Sequence, residues 1–274
     1  MIQSAHIGFG IQGNEGNQAA SFSDYAVTKF EDLQRLVFWH GRSFGYKASN
    51  FTMWFVFKAM LFSIPILFYN TVAGFSGVTY IEDLYFALYE VIMTTWAIAF
   101  YLLLDQDVSF NSEPRDLPSY YLYLIRNQLT KKTSRFAFWT MLCWFAGIVI
   151  FFVPFYSLNR IENSEGHVGD LASSGFTAFA SLITIHHVMI VIGTRNFTLP
   201  LSVIYVISYS MFMPLTVFLN EYVKGSTTYR TVFPTVMGGT WLFWLSFFFG
   251  VSVVCLPIYM LKSYELLIKK LKSD

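Results

Sequence analysis

Six stretches of this chain are apolar enough and long enough to cross a lipid bilayer, and they occupy most of the sequence after residue 48. A spanning helix needs about 20 mostly apolar residues, because a helix satisfies its own backbone polar groups where no water can. The stretches are Ser49–Asn70, Leu84–Leu104, Phe136–Ser157, Leu171–Gly193, Thr198–Asn220 and Pro234–Leu261. Charged residues make up 13% of the chain, whereas a soluble domain carries about 25%. The fold class that follows is all-α, a polytopic transmembrane helical bundle of six spans. Residues 1–30 instead read as soluble protein, so the chain looks like the membrane end of something larger. A net charge of +1 leaves no basic stripe able to neutralise a run of phosphates, which argues against a nucleic-acid partner. Cys143 and Cys255 both fall inside spans and read as core packing.

Lysine and arginine positions set the expected orientation. Arg35, Arg42 and Lys47 precede the first span; Arg115, Arg126, Lys131, Lys132 and Arg135 lie between the second and third; Lys262, Lys269, Lys270 and Lys272 close the chain. The positive-inside rule makes these regions cytoplasmic, and with them both termini. Thr71–Asp83 has no Lys or Arg, and Asn159–Asp170 has Arg160 beside Glu162, Glu165 and Asp170, as external loops should. Glu221–Phe233, with Lys224 and Arg230, fits the rule poorly. The sequons Asn50-Phe51-Thr52 and Asn196-Phe197-Thr198 fall at cytoplasmic boundaries and read as chance matches. Met1–Asn17 has neither a basic start nor an apolar run, so the first span is expected to act as its own insertion signal.

Gly8-Phe9-Gly10-Ile11-Gln12-Gly13 matches the dinucleotide pattern GxGxxG literally. That fingerprint needs a preceding strand and a following helix, and here Asn14-Glu15-Gly16-Asn17 prolongs a loop. Further on, Phe30, Leu33, Leu36 and Val37 recur at helical spacing, which predicts a helix over Ser21–Arg42 capped by Ser23 or Asp24. It would lead into the first span as a stalk.

Within the spans, ionisable and helix-breaking residues are the functional candidates. Lys58 lies about 9 residues into the first span, or about 13 Å along a helix, near the middle of a ~30 Å hydrocarbon layer. Pro65 has no N–H for the carbonyl of Leu61 and predicts irregular backbone there. Glu90 is the acid of the second span, with the hydroxyls of Thr94 and Thr95 one turn on. Opposite charges on adjacent antiparallel spans suggest that Lys58 and Glu90 neutralise each other. Reflecting the hairpin about Gly77 sets Lys58 level with Trp96, leaving Glu90 about 9 Å away along the axis. Contact would then need tilt, a break near Pro65, or a bridging water or headgroup. Adjacent His186 and His187 point in different directions on a helix and read as hydrogen-bonded packing, with a proton relay as the alternative. Tyr80, Tyr85, Tyr156 and Tyr222 near span ends read as interfacial anchors.

Met1-Ile2-Gln3-Ser4-Ala5-His6-Ile7-Gly8, Gln12-Gly13-Asn14-Glu15-Gly16-Asn17-Gln18-Ala19, Ser23-Asp24-Tyr25-Ala26 and Leu33–Val37 with His40-Gly41-Arg42 resemble a known family. It is the type-IV P-type ATPases, the phospholipid flippases, at the end of their phosphorylation domain and stalk. Phe57-Lys58 in the first span and Asp105-Gln106-Asp107-Val108-Ser109 after the second are similar too; past residue 135 the likeness rests mainly on hydropathy. The resemblance implies that residues 1–30 are the C-terminal remnant of the α/β phosphorylation domain, 31–48 a stalk helix, 49–261 the fifth to tenth of ten spans, and 262–274 a cytoplasmic tail. It also implies a lipid-headgroup role for Lys58, a phospholipid substrate, a missing N-terminal half of the same ATPase, and a glycosylated accessory membrane subunit.

The same resemblance implies ATP and Mg²⁺ chemistry that this chain does not carry. The family's Asp-Lys-Thr-Gly, Gly-Asp-Gly and Asp-Gly-Glu-Thr sequences do not occur in the 274 residues. Without carboxylates to hold Mg²⁺ against the transferring phosphoryl group, the chain alone is expected not to hydrolyse ATP and to hold no cofactor. It also departs from the family where Glu90 and Ala59 stand in place of asparagines, and near Trp96, where a proline is usual. The function expected is thus the transport portion of an ATP-driven lipid flippase. The alternatives are an inactive membrane scaffold derived from one, or an ion-coupled transporter using Lys58, Glu90 and the histidines.

Overall fold

The computed structural model describes residues 4–13, 18–106, 117–124, 132–158, 171–222 and 241–271. The connections at 159–170 and 223–240, most of 107–131 and the last three residues lie outside the described residues, with the loop assignments made for them above. The chain divides into two compact units, Met1–Asn50 with Gln106–Arg135, and Phe51–Asp105 with Phe136–Asp274.

In the first unit, β1 (Phe9–Ile11) pairs in parallel with β2 (Tyr25–Val27), Phe9 opposite Tyr25 and Ile11 opposite Val27. The short helix α1 (Gln18–Ser21) crosses so close to β1 that a Cβ on Gly10 would lie 2.7 Å from the carbonyl oxygen of Ala19. Gly10 is therefore required by the packing of α1, which accounts for one glycine of the GxGxxG match. The helix expected from Ser21 begins eleven residues later, because Tyr25 and Val27 favour a strand and Tyr25–Val27 is paired with β1. Neither expected cap residue caps a helix: Asp24 accepts the Gly8 N–H at 2.8 Å, and the Ser23 hydroxyl donates to Ala20 O at 2.9 Å. Helical structure then runs through α2 (Asp32–Arg35), a π-helical turn (Leu36–Gly41) and the start of α3 (Arg42–Val72). Phe38 in that turn meets Tyr121 of α6 (Leu117–Leu124) edge to face at 5.3 Å.

The described residues contain six helical segments long and apolar enough to span a membrane. The first is α3. The second is divided into α4 (Asp83–Leu88), a π-helical turn (Tyr89–Met93) and α5 (Thr95–Leu104). The third and fourth are α7 (Lys132–Leu158) and α8 (Leu171–Gly193); the fifth comprises α9 (Leu199–Ser210) and α10 (Phe212–Tyr222); the sixth is α11 (Trp241–Leu271), ten residues longer than expected at its C-terminal end.

Helix α8 is the core of the bundle. Its apolar window is 78% buried, against 28–39% in the other five. Ala172, Ser173, Ser174, Gly175, Thr177, Ala178, Ala180 and Ser181 give it a narrow profile, which lets α11, α9 and α5 pack against it. Between helices in lipid, where no hydrophobic force drives them together, such small residues permit close approach. Their hydroxyls are satisfied within the helix: Thr177 donates to Ser173 O and Ser181 to Thr177 O, each at 2.8 Å. Two glycines make the other close contacts. Gly193 leaves room for the ring of Trp54, and Gly147 of α7 leaves room for Ile64 of α3. The outward faces carry Leu103, Phe248, Phe249 and Tyr156 exposed, as lipid-facing residues are.

Candidate functional site

Pro65 does not break its helix. It is buried in the uninterrupted α3, next to Ile64 seated on Gly147, and this packing holds the helix together through the missing hydrogen bond. The break lies on the facing span, which has no proline. There the backbone passes through the π-helical turn Tyr89–Met93 and reaches Thr94 at φ −123°, ψ −33°, outside helical geometry. Such turns leave carbonyls without their regular partners. Thr94 donates its hydroxyl to Tyr89 O at 2.7 Å, and Thr95 donates to Glu90 O.

Lys58 points into this break and is 2% exposed. Its Nζ lies 2.7 Å from Glu90 Oε2 and 3.3 Å from both Glu90 O and Thr95 Oγ1, with Thr94 Oγ1 at 3.5 Å. Lys58, Glu90, Thr94 and Thr95 thus form one cluster. Tyr89 closes it from the other side by donating its hydroxyl to Lys58 O at 3.0 Å. An isolated buried ammonium would cost several kcal/mol, so the carboxylate and the unwound carbonyl together are what allow Lys58 to lie here.

Helical counting left Lys58 and Glu90 about 9 Å apart, and the structure brings them into direct contact. The reason is the connection. Ser76–Glu82 is not helical, Gly77 adopts φ +78°, and Tyr80 and Ile81 are already buried in the bundle. An extended residue advances about 3.3 Å against 1.5 Å in a helix, so about five such residues supply the missing distance. The same re-entry corrects two of the expected anchors: Tyr80 and Tyr85 are buried, Tyr80 stacked on Tyr69 at 4.9 Å and Tyr85 edge-on to Phe179 at 5.1 Å. Tyr156 is exposed.

The break is propped from behind by residues not singled out as partners of the cluster. Ser208 of α9 donates to Met93 O at 3.4 Å, and His187 Nε2 meets the Ser208 hydroxyl at 3.1 Å. His187 Nδ1 lies 2.9 Å from Ile183 O, a geometry that puts a proton on Nδ1. His187 is therefore hydrogen-bonded packing, as expected. His186 is not: it is fully buried against Tyr89, and neither ring nitrogen has a hydrogen-bond partner among the described residues. At the end of α5, Asp105 is 1% exposed, and its Oδ1 accepts the backbone N–H groups of Arg195 and Asn196 at 3.2 and 3.0 Å. The carboxylate thereby fastens the turn between α8 and α9 to the second span. Cys143 and Cys255 are buried free thiols. Among the described residues no group of three or more His, Cys, Asp or Glu side chains is placed to hold a metal ion.

Residues 20–270 match the family model described as phospholipid-translocating P-type ATPase, C-terminal. This chain belongs to that family. It is an integral, multi-pass membrane protein. It is 34% identical over 169 residues, 61% of its length, to human phospholipid-transporting ATPase IH, of which the match covers 15%. Against human phospholipid-transporting ATPase IC it is 29% identical over 287 aligned positions, covering 100% of this chain and 22% of the relative. Against the probable phospholipid-transporting ATPase 5 of Arabidopsis thaliana it is 30% identical over 199 residues, 72% of this chain and 16% of that protein. The chain therefore spans less than a quarter of the length of these relatives.

Proposed function

We propose that this chain is the C-terminal transport portion of an ATP-driven phospholipid-translocating ATPase, and that the lipid headgroup passes along Lys58, Glu90, Thr94 and Thr95 while its acyl chains stay in the bilayer. The observation that carries this reading is the buried Lys58 ammonium held by Glu90 and by the unwound carbonyl of the second span. A polar cluster of this kind, at membrane depth and at a break in a helix, is where transport proteins place their substrate contacts. Around it, residues 1–30 are read as the end of the phosphorylation domain and 31–48 as the stalk, with both termini cytoplasmic by the lysine and arginine distribution.

ATP and Mg²⁺ belong to the part of the transporter that precedes these residues, since the phosphorylated aspartate and the magnesium carboxylates are absent from the 274-residue sequence. The chain alone then neither hydrolyses ATP nor forms an acyl-phosphate; trapping labelled phosphate on it from γ-labelled ATP would refute this. The phospholipid, the N-terminal half and a glycosylated accessory membrane subunit are its proposed partners. The deciding experiment measures lipid-stimulated ATP hydrolysis by the complete transporter in liposomes, with Lys58→Ala and Glu90→Asn. Loss or re-ranking of lipid stimulation is expected, whereas two variants with the parent's rate and headgroup ranking would remove these residues from the path.

A further inference from the structure

The two charges of the cluster differ in what they can still offer a ligand. An ammonium has three hydrogens, and four oxygens lie within 3.5 Å of Lys58 Nζ: Glu90 Oε2, Glu90 O, Thr94 Oγ1 and Thr95 Oγ1. With its side chain 2% exposed, Lys58 has neither a spare donor nor a free approach. Glu90 is in the opposite condition. Its side chain is 29% exposed, a carboxylate accepts at about four sites, and among the described residues Lys58 is its one ionic partner. Phe55 adds an aromatic surface at the same spot: its ring centroid is 5.2 Å from Lys58 Nζ, and the residue is 50% exposed. The accessible face of the cluster is thus an acceptor-rich carboxylate beside an aromatic ring, while the cation is enclosed.

We propose that Glu90 makes this site select zwitterionic headgroups bearing an alkylammonium, such as ethanolamine or choline, over headgroups of net negative charge, such as serine or glycerol. The inference rests on the reading of Lys58, Glu90, Thr94 and Thr95 as the headgroup path. A headgroup ammonium meets the free carboxylate oxygens directly, and the exposed ring of Phe55 receives its methylene or methyl groups. A serine headgroup brings a second carboxylate to a place where the one cation is already saturated by four oxygens, and like charges at close range repel. Lys58 under this arrangement is a positioning residue: it holds the Glu90 side chain in place and leaves the sign of the accessible charge to the glutamate.

The test uses the protein in nanodiscs with photoreactive ethanolamine, choline, serine and glycerol phospholipids, and maps crosslinked peptides by mass spectrometry. Labelling of the Phe55–Lys58 and Tyr89–Thr95 segments by the two ammonium lipids should exceed labelling by the two anionic lipids by about fivefold, the ratio for a contact of about 1 kcal/mol. Glu90→Gln should bring the four lipids to equal labelling, and Glu90→Asp should restore the preference. Lys58→Met frees the carboxylate and should keep or raise the ammonium preference, which gives a second answer if the glutamine variant does not insert. Equal or stronger labelling by the anionic lipids in the parent, an unchanged ranking in Glu90→Gln, or a reduced ammonium preference in Lys58→Met would overturn the inference while leaving the path in place. If no lipid labels these segments, the path itself fails and the inference with it.

Discussion

The second and fourth spans face the same problem and solve it in opposite ways. Both carry threonine or serine hydroxyls among buried residues. In α8 the helix runs unbroken from Leu171 to Gly193 and the hydroxyls of Thr177 and Ser181 simply bond back to their own helix. In the second span the helix gives way at Tyr89–Thr94, and the hydroxyls of Thr94 and Thr95 are used to cover carbonyls that the irregular turn has released. A hydroxyl on a regular helix is a passenger that permits close packing; the same group at a break is part of what holds the backbone and the charge beside it. Small residues make α8 the buried centre, and the span next to it holds the buried ammonium of Lys58.

Substitutions can separate these two roles. Removing the charge partner should matter most: Glu90→Leu leaves Lys58 buried without its carboxylate and is expected to cost about 3–5 kcal/mol of stability, read by denaturant or thermal unfolding in detergent. Lys58→Met combined with Glu90→Leu should recover most of that loss; a double variant as unstable as Glu90→Leu would mean that the pair is not coupled. Next comes Gly193→Ala at the end of α8, where the added Cβ collides with the ring of Trp54; overpacking of this kind costs about 1–3 kcal/mol. Thr94→Val should lose about 1–2 kcal/mol, because the Tyr89 carbonyl is left uncovered in a buried place. Thr177→Val, in α8, should change stability by about 0.5 kcal/mol or less, since Ser173 O retains its helical hydrogen bond. A Thr177→Val effect as large as that of Thr94→Val would erase the distinction between the spans.

Much of this architecture was legible from hydropathy because bilayer thickness imposes a length on every span. Leu171–Gly193 and Leu84–Leu104 fall where the apolar runs put them, and Lys58 stood out because an ammonium in a spanning segment is rare. The contact between Lys58 and Glu90 could not be read from residue counts. Counting assumes 1.5 Å per residue throughout, and the chain abandons that rise over Ser76–Glu82. The position of the break was misread for a related reason: Pro65 is the conspicuous helix breaker, yet tertiary packing carries α3 through it, while Tyr89–Met93 unwinds with only the Thr94-Thr95 pair as a local sign. The prop from Ser208 and His187 depends on which helices become neighbours, information that a single sequence holds only collectively. In the N-terminal region, helical spacing from Phe30 onward was real but was extended too far back, across the paired strand Tyr25–Val27.

The fastening at Asp105 has a mechanical consequence. Helix α5 packs against α9 and is fastened through Asp105 to the α8–α9 turn, and Ser208 of α9 holds the Met93 carbonyl at the end of the π-helical turn. Upstream of Met93, α4 and the start of the π-helical turn are attached elsewhere: Phe62 of α3 packs on Phe86 and Tyr89 at 5.0 and 5.3 Å, and the Tyr89 hydroxyl holds Lys58 O. One membrane span is therefore shared between two mechanical partners. If α3 and α9 shift relative to each other, the second span does not swing as a rod; it flexes within the π-helical turn, between Tyr89 and Met93, which is where Glu90 meets Lys58.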